Sequence, residues 1–182
     1  MLTEAEMDEF FDRHLTKSAF RLEALDHYEV GSDGNDFARF KAGEAEPDWE
    51  RKNKWLNVLR AEKEAGILEH RVRVLRTPLN DYIRFECEWS YVPNTQAGEE
   101  IHILNLTERE LPREVVDHDF WLIDDQYPLR MHYSEAGEFI GAEPADELEL
   151  YRRARDAALA VSEPFKQWWD RHPEEWRVNR TA

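Results

Sequence analysis

Between residues 119 and 143 the spacing of apolar side chains changes three times, and each change predicts an element. Phe120-Trp121-Leu122-Ile123 is an unbroken apolar run, as in a strand covered on both faces, and Asp124-Asp125 ends it with a turn. From Tyr127 to Tyr133 the residues Tyr127, Leu129, Met131 and Tyr133 alternate with Pro128, Arg130 and His132, which gives a strand one buried and one more polar face. Gly137 is free to take positive φ, and Phe139-Ile140 resumes the apolar run, so a hairpin is predicted here.

The same reading extends along the chain. Thr3-Glu-Ala-Glu6 is a capping-box pattern followed by Met7, Phe10, Phe11 and His14 at helical spacing, predicting a helix from about residue 4 to 16. Phe20, Leu22 and Ala24 alternate with Arg21 and Glu23 as a strand, which ends in the Gly-, Ser- and Asp-rich loop 26–34. A short helix spans 35–42. Asp48 then caps a second one over 49–65, with Trp55, Val58, Leu59 and Glu62 on one face and Gly66 at its end. Arg71-Val-Arg-Val-Leu75 alternates as a strand whose two arginines share a face. Residues 78–91 satisfy both periods: Leu79, Tyr82, Ile83 and Glu86 fit a helix, whereas Ile83, Phe85, Cys87 and Trp89 alternate as in a strand. Thr77-Pro78 is a specific helix start and favours the helix. With a strand at 98–104 this makes a βαβ unit. Leu148, Tyr151, Ala154, Ala158 and Val161 give the closing helix, Asp146 to about Trp169, one core face, and Pro164 should kink or restart it. The predicted class is α/β, with mixed α+β as the alternative. The architecture is a single domain over 1–182 with a central mixed sheet of about 5–6 strands, flanking helices, a C-terminal β-hairpin and a long closing helix.

Composition narrows this further. With 41% hydrophobic and 12% aromatic residues the chain has material for a packed core, unlike a disordered chain of similar charge. Its 40 acidic and 24 basic residues give a formal charge of −16, which repels polynucleotide phosphate and anionic lipid, so neither direct nucleic-acid binding nor membrane association is expected. A lone cysteine, Cys87, cannot close an internal disulfide and reads as a packed residue. The chain also begins without a basic-plus-apolar leader, so the cytoplasm is the expected compartment.

Candidate chemistry is sparse. His118-Asp119 and Asp124-Asp125 with His132 are close in sequence, but their spacing matches no recognised metal site, and turn aspartates ordinarily bond their own backbone. Ser18, Ser32, Ser90, Ser134 and Ser162 lie in no nucleophile-elbow pattern, there is no Gly-rich phosphate loop, and no cofactor is expected. The strongest candidate is a polar set, Arg21, Glu23, Arg71, Arg73, Arg84 and Glu86. Burying an unpaired guanidinium is prohibitive, so these side chains must either form internal ion pairs, Arg21 among Glu23's neighbours and Arg84 among Glu86's, or reach a cleft and grip a carboxylate or phosphate. Tyr82, Trp121, Asp124 and His132 are secondary candidates for the same ligand site.

Ser18-Ala-Phe-Arg-Leu-Glu-Ala-Leu25 with Tyr28, Arg71-Val-Arg-Val74, Asp81-Tyr-Ile-Arg-Phe-Glu86, Gly98-Glu99, Asp119-Phe-Trp-Leu-Ile-Asp124 and Gly137 together resemble the actinobacterial family of unknown function DUF6879, over roughly residues 10–170. The resemblance implies no activity. It does imply a setting, since such proteins are often encoded beside helix-turn-helix regulators in Streptomyces-like bacteria, which makes a DNA-binding regulator the expected protein partner. The order of elements in the second half is also similar to a non-catalytic phospholipase-D-like half domain. None of the seven histidines has a lysine two residues on, so the His-x-Lys-x4-Asp chemistry of active phospholipase-D-like enzymes is absent. The expectation is therefore a non-enzymatic regulatory or interaction protein. The alternative is a hydrolase or transferase acting on a small anionic substrate in an arginine-lined cleft, which would require a concave pocket with converging titratable groups.

Overall fold

Three strands form the middle of the sheet. β1 (Ser18–Glu23), β2 (Leu68–Leu75) and β3 (Glu100–Asn105) run parallel, with β2 between the other two. The computed structural model from which this is drawn describes residues 1–29 and 31–180; Val30, in the predicted loop 26–34, lies outside it, as do the last two residues and the side chain of Ser32. Parallel neighbours need crossovers. The first carries α2 (Asp36–Lys41) and α3 (Trp49–Glu64); the second is one helical run made of α4 (Asp81–Phe85), a π-helical segment Glu86–Tyr91 and α5 (Val92–Ala97). β4 (Phe120–Ile123), β5 (Tyr127–Tyr133) and β6 (Phe139–Pro144) add antiparallel beyond β1 as the predicted hairpins. Gly137 closes the β5–β6 turn at φ +86°, where a Cβ would stand 2.5 Å from the His27 carbonyl oxygen, so both backbone angle and space require glycine.

The sheet has seven strands in the order β6-β5-β4-β1-β2-β3-β7, a mixed α+β arrangement with more strands than periodicity shows. The additional one is β7 (Glu163–Pro164), two residues antiparallel to β3 and too short to display a period. Pro164 does interrupt the closing helix, dividing it into α6 (Leu148–Val161) and α7 (Phe165–Arg171), and on an edge strand its missing N–H is harmless.

Strand alternation assigns the two faces. On one, Phe20, Leu22, Val72, Val74, Leu104, Phe120 and Leu122 pack under Tyr151, Ala154 and Ala158 of α6, the stripe predicted from the 3–4 spacing. On the other, Leu75, Ile101 and Ile103 pack with the 81–97 helical run and α7, including Phe85, Tyr91, Phe165, Trp168 and Trp169, so the C-terminal tryptophans cover the core. α1 (Glu4–His14), held by the Thr3/Glu6 capping box, lies over β4 and β5: Phe11 meets Trp121 edge-on at 5.0 Å, and Phe10 and His14 pack on Tyr127.

Two local expectations are corrected. The second crossover does not start at Thr77-Pro78 but at Asp81, because the Asn80 side chain accepts the Ile83 N–H at 2.8 Å and caps the first turn. In α3 the buried residues are Leu56 and Leu59, at 3% and 1% exposure, whereas Trp55 and Val58 stand at 39% and 43%. Trp55 and Val58 were free to turn away because α3 packs on α5 and β2 through a narrow stripe only. Among the described residues no helix is long and apolar enough to cross a membrane.

Candidate functional site

Parallel register places the polar set. Arg21 on β1 is the partner of Arg71 on β2 and of Trp121 on β4, and Glu23 is the partner of Arg73. All five side chains therefore project from the face opposite α6. Three guanidiniums brought together out of water need acceptors, and three carboxylates supply part of them, leaving the Arg21 Nε and the Arg73 Nε and Nη1 without one. Glu23 lies between two arginines, at 3.0 Å from Arg21 and 2.8 Å from Arg71. Glu99, just before β3, takes Arg71 at 2.5 Å and is itself held by the Asn94 amide at 2.9 Å. Glu86, from the π-helical segment, takes Arg73 at 3.0 Å. Aromatic rings complete the packing: Arg21 lies 5.1 Å from the Trp121 ring and 5.8 Å from Tyr28, Arg71 5.6 Å from Tyr91, and Arg73 5.2 Å from Tyr28.

Burial and charge pull these groups apart in pKa. Burial raises the Glu23 carboxyl, but Arg21, Arg71 and Arg73 outweigh it and hold Glu23 down at about 2. At Glu86 burial prevails over the pull of Arg73, and the carboxyl is pushed up to about 7. Burial also opposes the charge on Arg21, yet the neighbouring Glu23 raises its pKa above the ordinary value. The two carboxyls are thus pulled in opposite directions, Glu23 down by its arginines and Glu86 up by its burial.

This cluster floors a cleft of about 610 Å³, between α1 with β4 on one side and α3 with the 81–97 run on the other. Arg21, Glu23 and Arg71 form the base. Tyr28, Tyr82, Glu86 and Ser90 form a wall. Trp55 and Val58 of α3 and Met7 and Trp121 across from them form the lips. Three cations lining it, Arg21, Lys52 and Lys54, are incompletely used, and Lys54 makes no ion pair among the described residues. Arg21 has a buried Nε with no hydrogen-bond acceptor. Lys52 donates to the Ser90 hydroxyl at 3.0 Å and makes no ion pair among the described residues. Burial draws the Lys52 ammonium below its usual pKa, opposed in part by Asp33.

Of the residues predicted from sequence, Arg21, Glu23, Arg71, Glu86, Tyr82 and Trp121 come together here. Arg73 lies beneath them, fully buried and outside the lining. Arg84 is elsewhere: its guanidinium holds Glu175 at 2.9 Å, the Leu79 carbonyl at 2.8 Å and Asp81 at 3.1 Å, fastening the C-terminal segment to α4 instead of pairing near Glu86. Asp124 caps the start of β1, accepting the N–H groups of Thr16, Lys17 and Ser18 and the Thr16 hydroxyl. His132 pairs with Glu143 across β5 and β6 at 3.2 Å, on an exposed edge. His118 bonds Asp117 and Tyr151, and Asp119 accepts the Tyr28 hydroxyl and the Ala24 N–H. Among the described residues no group of three or more His, Cys, Asp or Glu could hold a metal ion.

Sequence reasoning missed Lys52, Ser90 and Glu99 as participants. The one available signal was the conflict of periods over 78–91. That stretch is buried at Tyr82, Ile83, Arg84, Phe85, Glu86, Cys87, Trp89 and Tyr91, on almost every side, so neither a two- nor a 3.6-residue pattern describes it. The π-helical turn in its middle presents Glu86 and Ser90 to the cleft, and such turns recur at functional sites.

The fold and cleft define a mixed α+β protein with an open, arginine-floored and aromatic-walled hollow on one face of its sheet. The chain belongs to the family described as Domain of unknown function (DUF6879), which matches residues 5–170, nearly its whole length. No curated protein matches it.

Proposed function

We propose that the protein is a regulatory ligand-binding module whose cleft receives a small anionic molecule. The observation that carries this is the meeting, in one concave site, of three cations not saturated by the protein's own carboxylates: Arg21, whose Nε lacks an acceptor, Lys52 and Lys54. Arg73 and Arg84 are paired with Glu86 and Glu175 and lie outside the lining, so they belong to the framework, whereas Arg21 lines the cleft and belongs to the ligand. Titration calorimetry with inorganic phosphate and small carboxylates tests the proposal. Arg21→Lys and Lys52→Ala weaken binding at least tenfold, while Arg130→Ala, an exposed position on β5, leaves it unchanged. Heat-silent titrations with every anion would refute it. Turnover of a bound ester or phosphate would move the protein to the hydrolase or transferase class.

A second reading has its own support. The charge of −16 suits a basic partner, and Trp55 and Val58 offer exposed apolar surface on α3, which together fit docking of a DNA-binding regulator in the cytoplasm. Co-purification with a helix-turn-helix protein encoded nearby, lost in Trp55→Glu, is the corresponding test.

A further inference from the structure

We infer that the ligand is a flat ring carrying an anionic group, with the ring held at the lips of the cleft and the anion at Arg21. This rests on the anion-cleft reading above and specifies the molecule. The lips are apolar and come from opposite sides of β1: Trp55 and Val58 from α3, Met7 and Trp121 from α1 and β4. Trp55 and Val58, like Trp49 at the start of α3, stay exposed while Leu56 and Leu59 do the packing, so they are surplus to the core, and of the three only Trp55 and Val58 line the cleft. Trp121 is not free to adapt. Phe11 fixes its ring edge-on at 5.0 Å, and the Arg21 guanidinium lies 5.1 Å from its centroid. A ring entering beside Trp121 thus arrives next to a cation already oriented by Glu23 and Tyr133, with Arg21 Nε still lacking an acceptor. Each half of the ligand answers one feature. A bare anion leaves the aromatic lips wet, and a bare ring forgoes the charge-assisted hydrogen bond that an anion makes to the Arg21 guanidinium. A volume of about 610 Å³ admits a molecule of nucleotide size.

The shared chemistry, ring plus anion, occurs in nucleoside monophosphates and in aromatic carboxylates. The experiment therefore uses the intact chain, tryptophan fluorescence and calorimetry, and four probes: adenosine 5′-monophosphate, indole-3-carboxylate, ribose 5-phosphate and adenosine. One of the first two binds at least tenfold more tightly than both ribose 5-phosphate and adenosine, and which of them does so assigns the anion as phosphate or carboxylate. Trp55→Ala, at an exposed position that does not threaten folding, removes the tenfold advantage. If ribose 5-phosphate binds as tightly as the ring-bearing probes, the ring is overturned and the anion cleft stands. If adenosine binds as tightly, the anion at Arg21 is overturned. If inorganic phosphate and all four probes fail to bind, the ligand-binding function itself falls.

Discussion

Glu23 holds the floor of the cleft together, and removing its charge is the most direct test of how the protein is built. It lies between Arg21 and Arg71 at 3.0 and 2.8 Å and is buried. In Glu23→Gln the amide fills the same space, but Arg21 loses its carboxylate, while Arg71 keeps Glu99. Breaking one side of a buried ion pair costs about 3–5 kcal/mol. The titration leads to a similar figure: a carboxyl held at about 2 instead of 4.5 contributes about 3 kcal/mol at neutral pH. The sign follows from the depressed pKa. This stability is complete above pH 4.5 and is lost as pH falls toward 2, so wild type and variant differ most at neutral pH and converge in acid. Urea unfolding followed by tryptophan fluorescence at pH 7 should show a loss of about 3–5 kcal/mol, lowering Tm by roughly 10 °C, and the gap should narrow between pH 5 and 3. A loss below about 1 kcal/mol at pH 7, or a gap that does not change with pH, would refute the idea that the arginine floor depends on this carboxylate.

Three further outcomes are expected. Asp124→Ala strips the Thr16, Lys17 and Ser18 N–H groups of their acceptor and should cost about 2–4 kcal/mol in chemical denaturation; since hydrogen bonds overcome burial and hold this carboxyl at about 2, the wild-type advantage is present above pH 3.8 and fades as pH falls through 2. Leu56→Ala should destabilise by about 2–4 kcal/mol and Val58→Ala by less than about 1 kcal/mol, a ranking that thermal melts of the two variants will check against the burial of α3. Burial pushes the Cys87 thiol well above its usual pKa, so a thiol-specific chromogenic reagent should leave the native protein unlabelled and react with one equivalent in denaturant.

Much of this molecule could be read from neighbouring residues. The Thr3/Glu6 capping box, the alternation through β1, β2 and β5, the glycine of the β5–β6 hairpin and the apolar stripe of α6 are all local patterns, and each formed where its pattern lay. The same local logic placed Arg21 with Glu23, and Arg71 with Arg73, on shared faces and required that they be paired or open to a ligand. It gave two answers where burial surrounds an element, as over 81–91, where the helix it favoured is what formed. It failed where an element is too short to have a period, as at β7, and on α3, whose apolar residues outnumber the places the core has for them.

Sequence alone therefore determined most of the elements, the class of fold and the need of the buried guanidiniums for partners, because those follow from spacing and from the cost of desolvating charge. Only the tertiary structure decided which carboxylate answers which arginine. The β1–β2 register sets Glu23 beside both Arg21 and Arg71, and Glu175 reaches Arg84 from 91 positions away. It also decided that a hollow exists at all. A cleft is the space that α1 and α3 leave uncovered over β1 and β2, and that space depends on how far apart packed helices come to rest, a quantity no stretch of chain contains by itself.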